Sequence, residues 1–99
     1  MKTLEERVRD EVGSEANPAY LEQILGRNNR GLLEWLLDQS HTLANQTVPE
    51  SLAYADDESR RPTLELGTRI MTTDLRQMLF VVGELRARLT ALAPKSSPE

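Results

Sequence analysis

The chain has 99 residues and no cysteine, which excludes a disulfide framework and thiolate metal sites. Its 16 acidic residues outnumber its 12 lysines and arginines by four, a balance that does not favour binding to nucleic-acid phosphates. No apolar run approaches the roughly 20 residues of a membrane span, and residues 1–10 lack the apolar core of a signal peptide. These features predict a single cytoplasmic domain over residues 1–93 without membrane contact.

A first helix is predicted at about 4–12. Thr3 and Glu6 match the capping box, in which each side chain accepts a hydrogen bond from the backbone of the other residue. Gly13 is suited to the C-terminal cap. Three apolar residues form a narrow stripe along this helix: Leu4, Val8 and Val12.

A second helix is predicted at about 18–26, because Asn17 is a good N-cap and Pro18 is tolerated at the first helical position. Its apolar face comprises Tyr20, Leu21, Ile24 and Leu25. The segment 26–31 indicates a turn, since Gly and Asn are able to adopt positive φ.

The third helix is predicted at about 31–45 and carries a broad apolar stripe, with Trp35 off its centre. The stripe consists of Leu32, Leu33, Leu36, Leu37, Ser40, Leu43 and Ala44. Residues 46–62 are expected to be irregular, with a short helical turn near 49–54.

The fourth helix is predicted at about 63–93 and is by far the longest, followed by a disordered tail at 94–99. Apolar residues recur along it at steps of four and three, a period of 3.5 interrupted only by Thr68. The seam consists of Leu64, Thr68, Met71, Leu75, Met78, Val82, Leu85, Leu89 and Leu92.

The centre of this helix, residues 78–82, is apolar on every side, as expected of a helix buried all round. Helices 2 and 3 can cover one side, and a second copy can cover the other. An antiparallel pair with its two-fold axis near residue 80 stacks the seam upon itself and places Asp74 opposite Arg88. The predicted homodimer interface comprises Met71, Asp74, Leu75, Met78, Leu79, Val81, Val82, Leu85, Arg88 and Leu89. The alternative is a monomeric bundle around the long helix.

A charged segment in the later loop is a second candidate surface, for an unidentified protein partner. Two aromatic residues could line a groove beside it, although both are also suited to a core. The candidate partner-binding residues are Trp35, Tyr54, Asp56, Asp57, Glu58, Arg60 and Arg61.

A metal-binding bundle is a further hypothesis, since Glu34, Asp38 and His41 share one face of helix 3. That face lies opposite the apolar stripe, so a solvated polar surface is the simpler interpretation, and no metal or cofactor is predicted. Ser40 and His41 are neighbours that point about 100° apart on a helix, so they cannot form a nucleophile–base pair. The chain is therefore predicted not to be an enzyme.

A DNA-binding regulator is the rival function, with Arg27, Asn28, Asn29 and Arg30 in the turn of a helix-turn-helix. A recognition helix needs polar or basic residues at its start. Helix 3 instead starts with apolar and acidic residues, which favours a core position.

Residues 33–36 (Leu-Glu-Trp-Leu) and 66–72 (Leu-Gly-Thr-Arg-Ile-Met-Thr) resemble segments of the small all-helical rubisco assembly chaperones. Those proteins are homodimers with a long C-terminal helix. The resemblance covers about a dozen residues and carries over no functional residue. It implies that such an architecture can serve an assembly chaperone.

Together these observations predict an all-α bundle of three shorter helices packed on one long C-terminal helix, dimerised antiparallel through that helix. The predicted function is a non-enzymatic protein–protein interaction module: an adaptor, an assembly chaperone or an inhibitor.

Overall fold

The computed structural model describes residues 1–92, whose regular structure is entirely helical. The helices are α1 (Leu4–Glu11), α2 (Pro18–Leu25), α3 (Asn29–Thr42), α4 (Val48–Leu52) and α5 (Arg61–Leu92). A π-helical segment (Leu43–Thr47) joins α3 to α4, and one 3-10 turn (Glu58–Arg60) precedes α5. The prediction of a long C-terminal helix packed on shorter helices is confirmed. The predicted helix end at Ala93 and the predicted tail at 94–99 lie outside the described residues.

The first two helices begin as their capping residues predict. In α1 the Glu6 amide donates to Thr3 Oγ1 at 3.1 Å, and the Thr3 amide donates to Glu6 Oε1 at 2.9 Å. In α2 the Asn17 Oδ1 accepts from the amide of Ala19 at 3.0 Å. Gly13 follows the end of α1 with φ of +122°, a conformation that strongly favours glycine.

The turn between α2 and α3 is tighter than expected. The α3 helix begins at Asn29, because the Asn28 side chain caps it by accepting from the Gly31 amide at 2.8 Å. Asn28 itself is extended, with φ of −74°, so the chain reverses without a left-handed residue. The turn predicted at 26–31 forms without the positive φ that Gly and Asn are able to adopt: among the described residues only Gly13 has a positive φ.

The region after α3 is more helical than predicted. The backbone stays helical through the π segment into α4, and the short helical turn expected near 49–54 is the end of this path. Pro49, at the second position of α4, does not interrupt this path, although it has no N–H to donate.

The segment 29–52 and α5 form an antiparallel hairpin. At one end a terminal nitrogen of Arg88 donates to Asn29 Oδ1 at 3.1 Å. At the other end Ser51 approaches α5 so closely that a Cβ on Gly67 would lie 2.9 Å from its Oγ. The arms match in length: 22 residues separate Asn29 from Ser51 and 21 separate Gly67 from Arg88, about 33 and 32 Å at helical rise. The α4 extension therefore gives the first half of α5 an intrachain neighbour.

The remaining helices, α1 and α2, form a second layer on one face of the α3–α5 pair. The α1 helix contacts α2 and α5, and α2 contacts α3 and α5. The core lies between these layers and consists of Val8, Val12, Leu21, Ile24, Leu32, Trp35, Phe80 and Val81. The molecule is elongated, measuring 61 × 27 × 22 Å. Among residues 1–92, no helix combines the length and apolar character that crossing a membrane requires.

Candidate functional site: the uncovered face of the long helix

One side of the apolar turn at 78–82 is covered by the chain itself. Phe80 and Val81 are buried, at 4% and 0% exposure. The Arg7 guanidinium lies 5.0 Å from the centroid of the Phe80 ring, within range of a cation–π contact. This inner side of α5 meets α1 and α2 and contributes to the core.

The opposite side of the same turn is open. Leu79 is 70% exposed and Val82 is 37% exposed. At 100° per residue, Leu79 lies about 160° around α5 from the buried Val81. Leu75 and Leu89, at 46% and 56% exposure, extend this open stripe along the helix.

The α3 helix presents a similar uncovered side. Leu33 and Leu37 are 57% and 62% exposed, and each lies about 160° around α3 from the buried Trp35. Because α1 and α2 pack on the other side of the α3–α5 pair, no described element covers these leucines. We call the combined surface the outer face: Leu33, Leu37, Leu75, Leu79, Val82 and Leu89.

Several residues of the predicted interface are already engaged within the chain. Met71, Met78 and Leu85 are half-buried, and Met78 and Leu85 pack against the core. Val81 is fully buried and has no surface left for a second copy. Asp74 is half-buried, and this burial raises the pKa of its carboxyl group.

Arg88, the predicted partner of Asp74, instead joins α5 to the turn between α2 and α3. Its guanidinium donates to the carbonyl of Leu25 at 2.6 Å and to that of Arg27 at 2.7 Å. It also pairs with Glu84 at 2.9 Å. Carbonyls at a helix end lack intrahelical donors, so Arg88 satisfies groups that the fold leaves open. An intersubunit pair with Asp74 would have to compete with these bonds.

The two aromatic residues proposed to line a partner groove lie in different surroundings. Trp35 is in the core, where its indole N–H donates to the Tyr20 hydroxyl at 2.7 Å. Tyr54 is half-buried beneath the Arg60 guanidinium, 4.8 Å from its ring centroid. The structure therefore does not join them in one groove.

The charged segment beside Tyr54 is at the surface. Asp57 caps the 3-10 turn by accepting from the Ser59 amide at 3.0 Å. The other charged residues of this segment are exposed: Asp56, Glu58, Arg60 and Arg61. A shallow cavity of about 250 Å³ lies nearby between Tyr54, Leu66 and Ile70.

A second cavity, of about 270 Å³, lies between the α1–α2 connection and α5. Here the Glu15 carboxylate accepts from Arg69 at 2.6 Å and from the Thr73 hydroxyl at 3.5 Å. The hydrogen bond and charge of Arg69 lower the pKa of Glu15, and Glu15 in turn raises that of Arg69. Neither the sequence spacing nor any motif indicated this contact, which joins residues 54 positions apart.

The residues of the metal hypothesis have other partners or face solvent. Glu34 pairs with Arg30 at 3.1 Å. The Nδ1 atom of His41 lies 3.2 Å from the side-chain amide nitrogen of Asn45. Asp38 is exposed. Within the described part of the chain, no three His, Asp or Glu residues are grouped closely enough to hold a metal ion. Ser40 Oγ donates to the Leu36 carbonyl at 2.8 Å.

The turn considered for DNA binding has a structural role. Asn28 caps α3, Asn29 accepts from Arg88, and the Arg27 carbonyl also accepts from Arg88. Arg30 is paired with Glu34 on the same helix. The start of α3 therefore presents few free polar donors.

The periodicity of helix 3 assigns Leu33 and Leu37 to its packed stripe, so these two of the six outer-face residues were not predicted. The signal that could have found them is Trp35, which lies opposite these leucines on the helix. A tryptophan buries more area than a leucine and favours the core side.

Comparison with family models, with curated proteins and with solved structures finds no match to this chain.

Proposed function

We propose that this chain is a non-enzymatic protein-interaction module, an adaptor, assembly chaperone or inhibitor, that acts as a homodimer. The observation that carries the proposal is the outer face: six large apolar side chains of the packed helices α3 and α5, each 37% to 70% exposed. Single exposed apolar residues are common on proteins, but several of them on two neighbouring helices indicate a surface that another chain can cover.

The occupant that we propose is a second copy, because two of the exposed apolar residues of α5, Leu79 and Val82, can cover each other in an antiparallel pair. Two antiparallel copies with an axis between residues 80 and 81 place Leu79 of one opposite Val82 of the other. Thr72 then faces Leu89. Leu75 faces Arg86, whose aliphatic stem can cover the leucine while its charge stays in water.

This axis differs by half a residue from the axis predicted near residue 80. The shift matters because it pairs Leu79 with the exposed Val82 and leaves the buried Val81 inside its own subunit. It also leaves the bonds of Arg88 to the α2–α3 turn unbroken. The dimer proposed here therefore adds contacts without removing any that stabilise the subunit.

The dimer is tested by Leu79→Lys, measured by light scattering and sedimentation at tens of micromolar protein. We expect wild-type protein at twice the 11.2 kDa of the chain and the variant at 11.2 kDa, because lysine places a charge at the axis. Leu66→Lys is the matched control: Leu66 is 53% exposed on α5 but lies about 140° around the helix from Leu79. Unchanged circular dichroism shows that both variants are folded.

Wild-type protein that stays at 11.2 kDa at 100 micromolar would refute the dimer. If both variants have a mass of 11.2 kDa, the contact between copies does not depend specifically on Leu79 and lies elsewhere on α5. The wider proposal is tested by crosslinking in the native source. Partners that crosslink to the wild type and to Leu66→Lys, but not to Leu79→Lys, would require the outer face.

A further inference from the structure

We propose that the cavity between the α1–α2 connection and α5 binds a small oxyanion, a phosphate or a carboxylate. The site is independent of the proposed dimer. The residues that line it include Gly13, Ser14, Glu15, Arg69, Thr73 and Arg76.

The donors of this cavity come from one face of α5. Arg69, Thr73 and Arg76 are spaced at i, i+4 and i+7, so their side chains project to the same side. Two guanidinium groups and a hydroxyl thus converge on one opening, and guanidinium groups form the strongest hydrogen bonds to carboxylate and phosphate oxygens.

The structure already shows an oxyanion bound by part of this donor set. The Glu15 carboxylate occupies Arg69 and Thr73, acting as an internal ligand. Arg76 has no ion-pair partner among residues 1–92, and a terminal nitrogen of Arg76 lies 4.0 Å from where a Cβ on Gly13 would be. One guanidinium beside the bound carboxylate is therefore free for a second anion.

The backbone opposite Arg76 can add donors. In the described structure the amides of Ser14 and Glu15 have no backbone acceptor, whereas that of Gly13 donates to Val8 and that of Ala16 donates to Gly13. The dipole of α1 places at most about half a negative charge at its C-terminal end, and this charge repels a bound anion. Two arginines against one glutamate leave a net charge of +1, which outweighs that effect.

The test is a titration of isotope-labelled protein at pH 7 and constant ionic strength, followed by the amide resonances of residues 13–16. Three arms use sodium phosphate, sodium acetate and sodium chloride. We expect saturable shifts with an oxyanion and none with chloride. The stronger of the phosphate and acetate responses identifies which oxyanion the site prefers.

Three variants locate the site. Arg76→Gln should weaken binding about ten-fold, the cost of one charged hydrogen bond, and Arg76→Lys should restore part of it. Glu15→Gln should tighten binding several-fold, because it removes the competing carboxylate and frees Arg69. Arg61→Gln is the matched control, since Arg61 is an exposed arginine of α5 that lies outside both the cavity and the proposed dimer interface.

Glu15→Gln separates a binding site from a purely structural ion pair. If Glu15 and Arg69 only stabilise the fold, the variant lowers the melting temperature without raising anion affinity. Shifts reproduced by chloride, or unchanged in Arg76→Gln, would overturn the proposal.

Discussion

Near its centre α5 is apolar on both its inner and its outer side, but the inner side is buried and the outer side is exposed. Phe80 and Val81 are buried against α1 and α2, whereas Leu79 and Val82, immediately beside them, are exposed. Apolar composition therefore does not determine burial within the subunit; the position of the second layer does. The uncovered side is the part of the molecule that we propose associates with another chain.

The largest effect on the free energy of unfolding is expected when the buried Phe80 and its exposed neighbour Leu79 are each replaced by alanine. Phe80→Ala should lower the free energy of unfolding by about 3–5 kcal/mol, since it removes a buried ring and leaves a cavity. Leu79→Ala should change the unfolding of the monomer by no more than about 0.5 kcal/mol. Urea denaturation at low micromolar concentration measures both. Equal losses would show that Leu79 is packed within the subunit.

The same pair of variants sharpens the dimer proposal when protein concentration is raised. The unfolding midpoint of wild-type protein should rise with concentration, because association stabilises the folded state by mass action. This dependence should be lost in Leu79→Ala. It should persist in Phe80→Ala at temperatures where that variant is folded.

The next largest effect concerns the bonds that hold the inner side in place. Arg88→Met should cost about 2 kcal/mol, because it removes charge-assisted bonds to the carbonyls of Leu25 and Arg27 while keeping the aliphatic stem. Arg61→Met, on an exposed arginine of the same helix outside the proposed dimer interface, is the control and should be near neutral. If Arg88→Met instead lowers the mass and leaves monomer stability unchanged, Arg88 belongs to a dimer contact.

A smaller effect is expected on the inner side of α3. Trp35→Phe and Tyr20→Phe each remove one partner of the 2.7 Å hydrogen bond between the indole and the hydroxyl. The coupling energy from a double-mutant cycle should be about 1 kcal/mol. A coupling near zero would mean that the ring contact, with centroids 6.3 Å apart, holds the pair without the hydrogen bond.

Local features of this fold could be predicted from the sequence, because their causes lie within a few residues. The caps at Thr3 and Asn17 and the glycine after α1 depend only on neighbouring backbone groups. Pro49 illustrates the limit: it suggests a break, yet the backbone is helical on both sides of it. Its position within a helix depends on the π segment before it.

Contacts between distant residues could not be predicted in the same way. Apolar periodicity identified the seam of α5 but not which of its sides the second layer would cover. Arg88 and Leu25 are 63 positions apart, and Arg69 and Glu15 are 54 apart. Nothing in the local pattern distinguishes these arginines from solvated ones. The sequence therefore predicts which region of α5 forms the candidate interface. Which residues of that region are exposed depends on how the other helices pack against α5.

The smallest expected effect distinguishes two carboxylates by the direction of their pH dependence. Burial raises the pKa of Asp74 above its ordinary value of 3.8, so the folded state binds that proton more tightly than the unfolded state. This contribution is fully present below pH 3.8 and is lost as the pH rises through the raised pKa. Asp74→Asn should therefore be more stable than wild type at pH 7 and nearly equal at pH 3.

Glu15 provides the opposite control, because Arg69 lowers its pKa from 4.5. Its contribution is present above pH 4.5 and is lost as the pH falls through the lowered value, so Glu15→Gln should be less stable than wild type at pH 7. Melting temperatures at pH 3 and pH 7 measure both variants. If Asp74→Asn is instead destabilising at pH 7, the Asp74 carboxylate has a favourable partner, and in a dimer that partner can belong to the second copy. Repeating the measurement in Leu79→Lys separates these cases, since a partner supplied by the second copy is lost with the dimer.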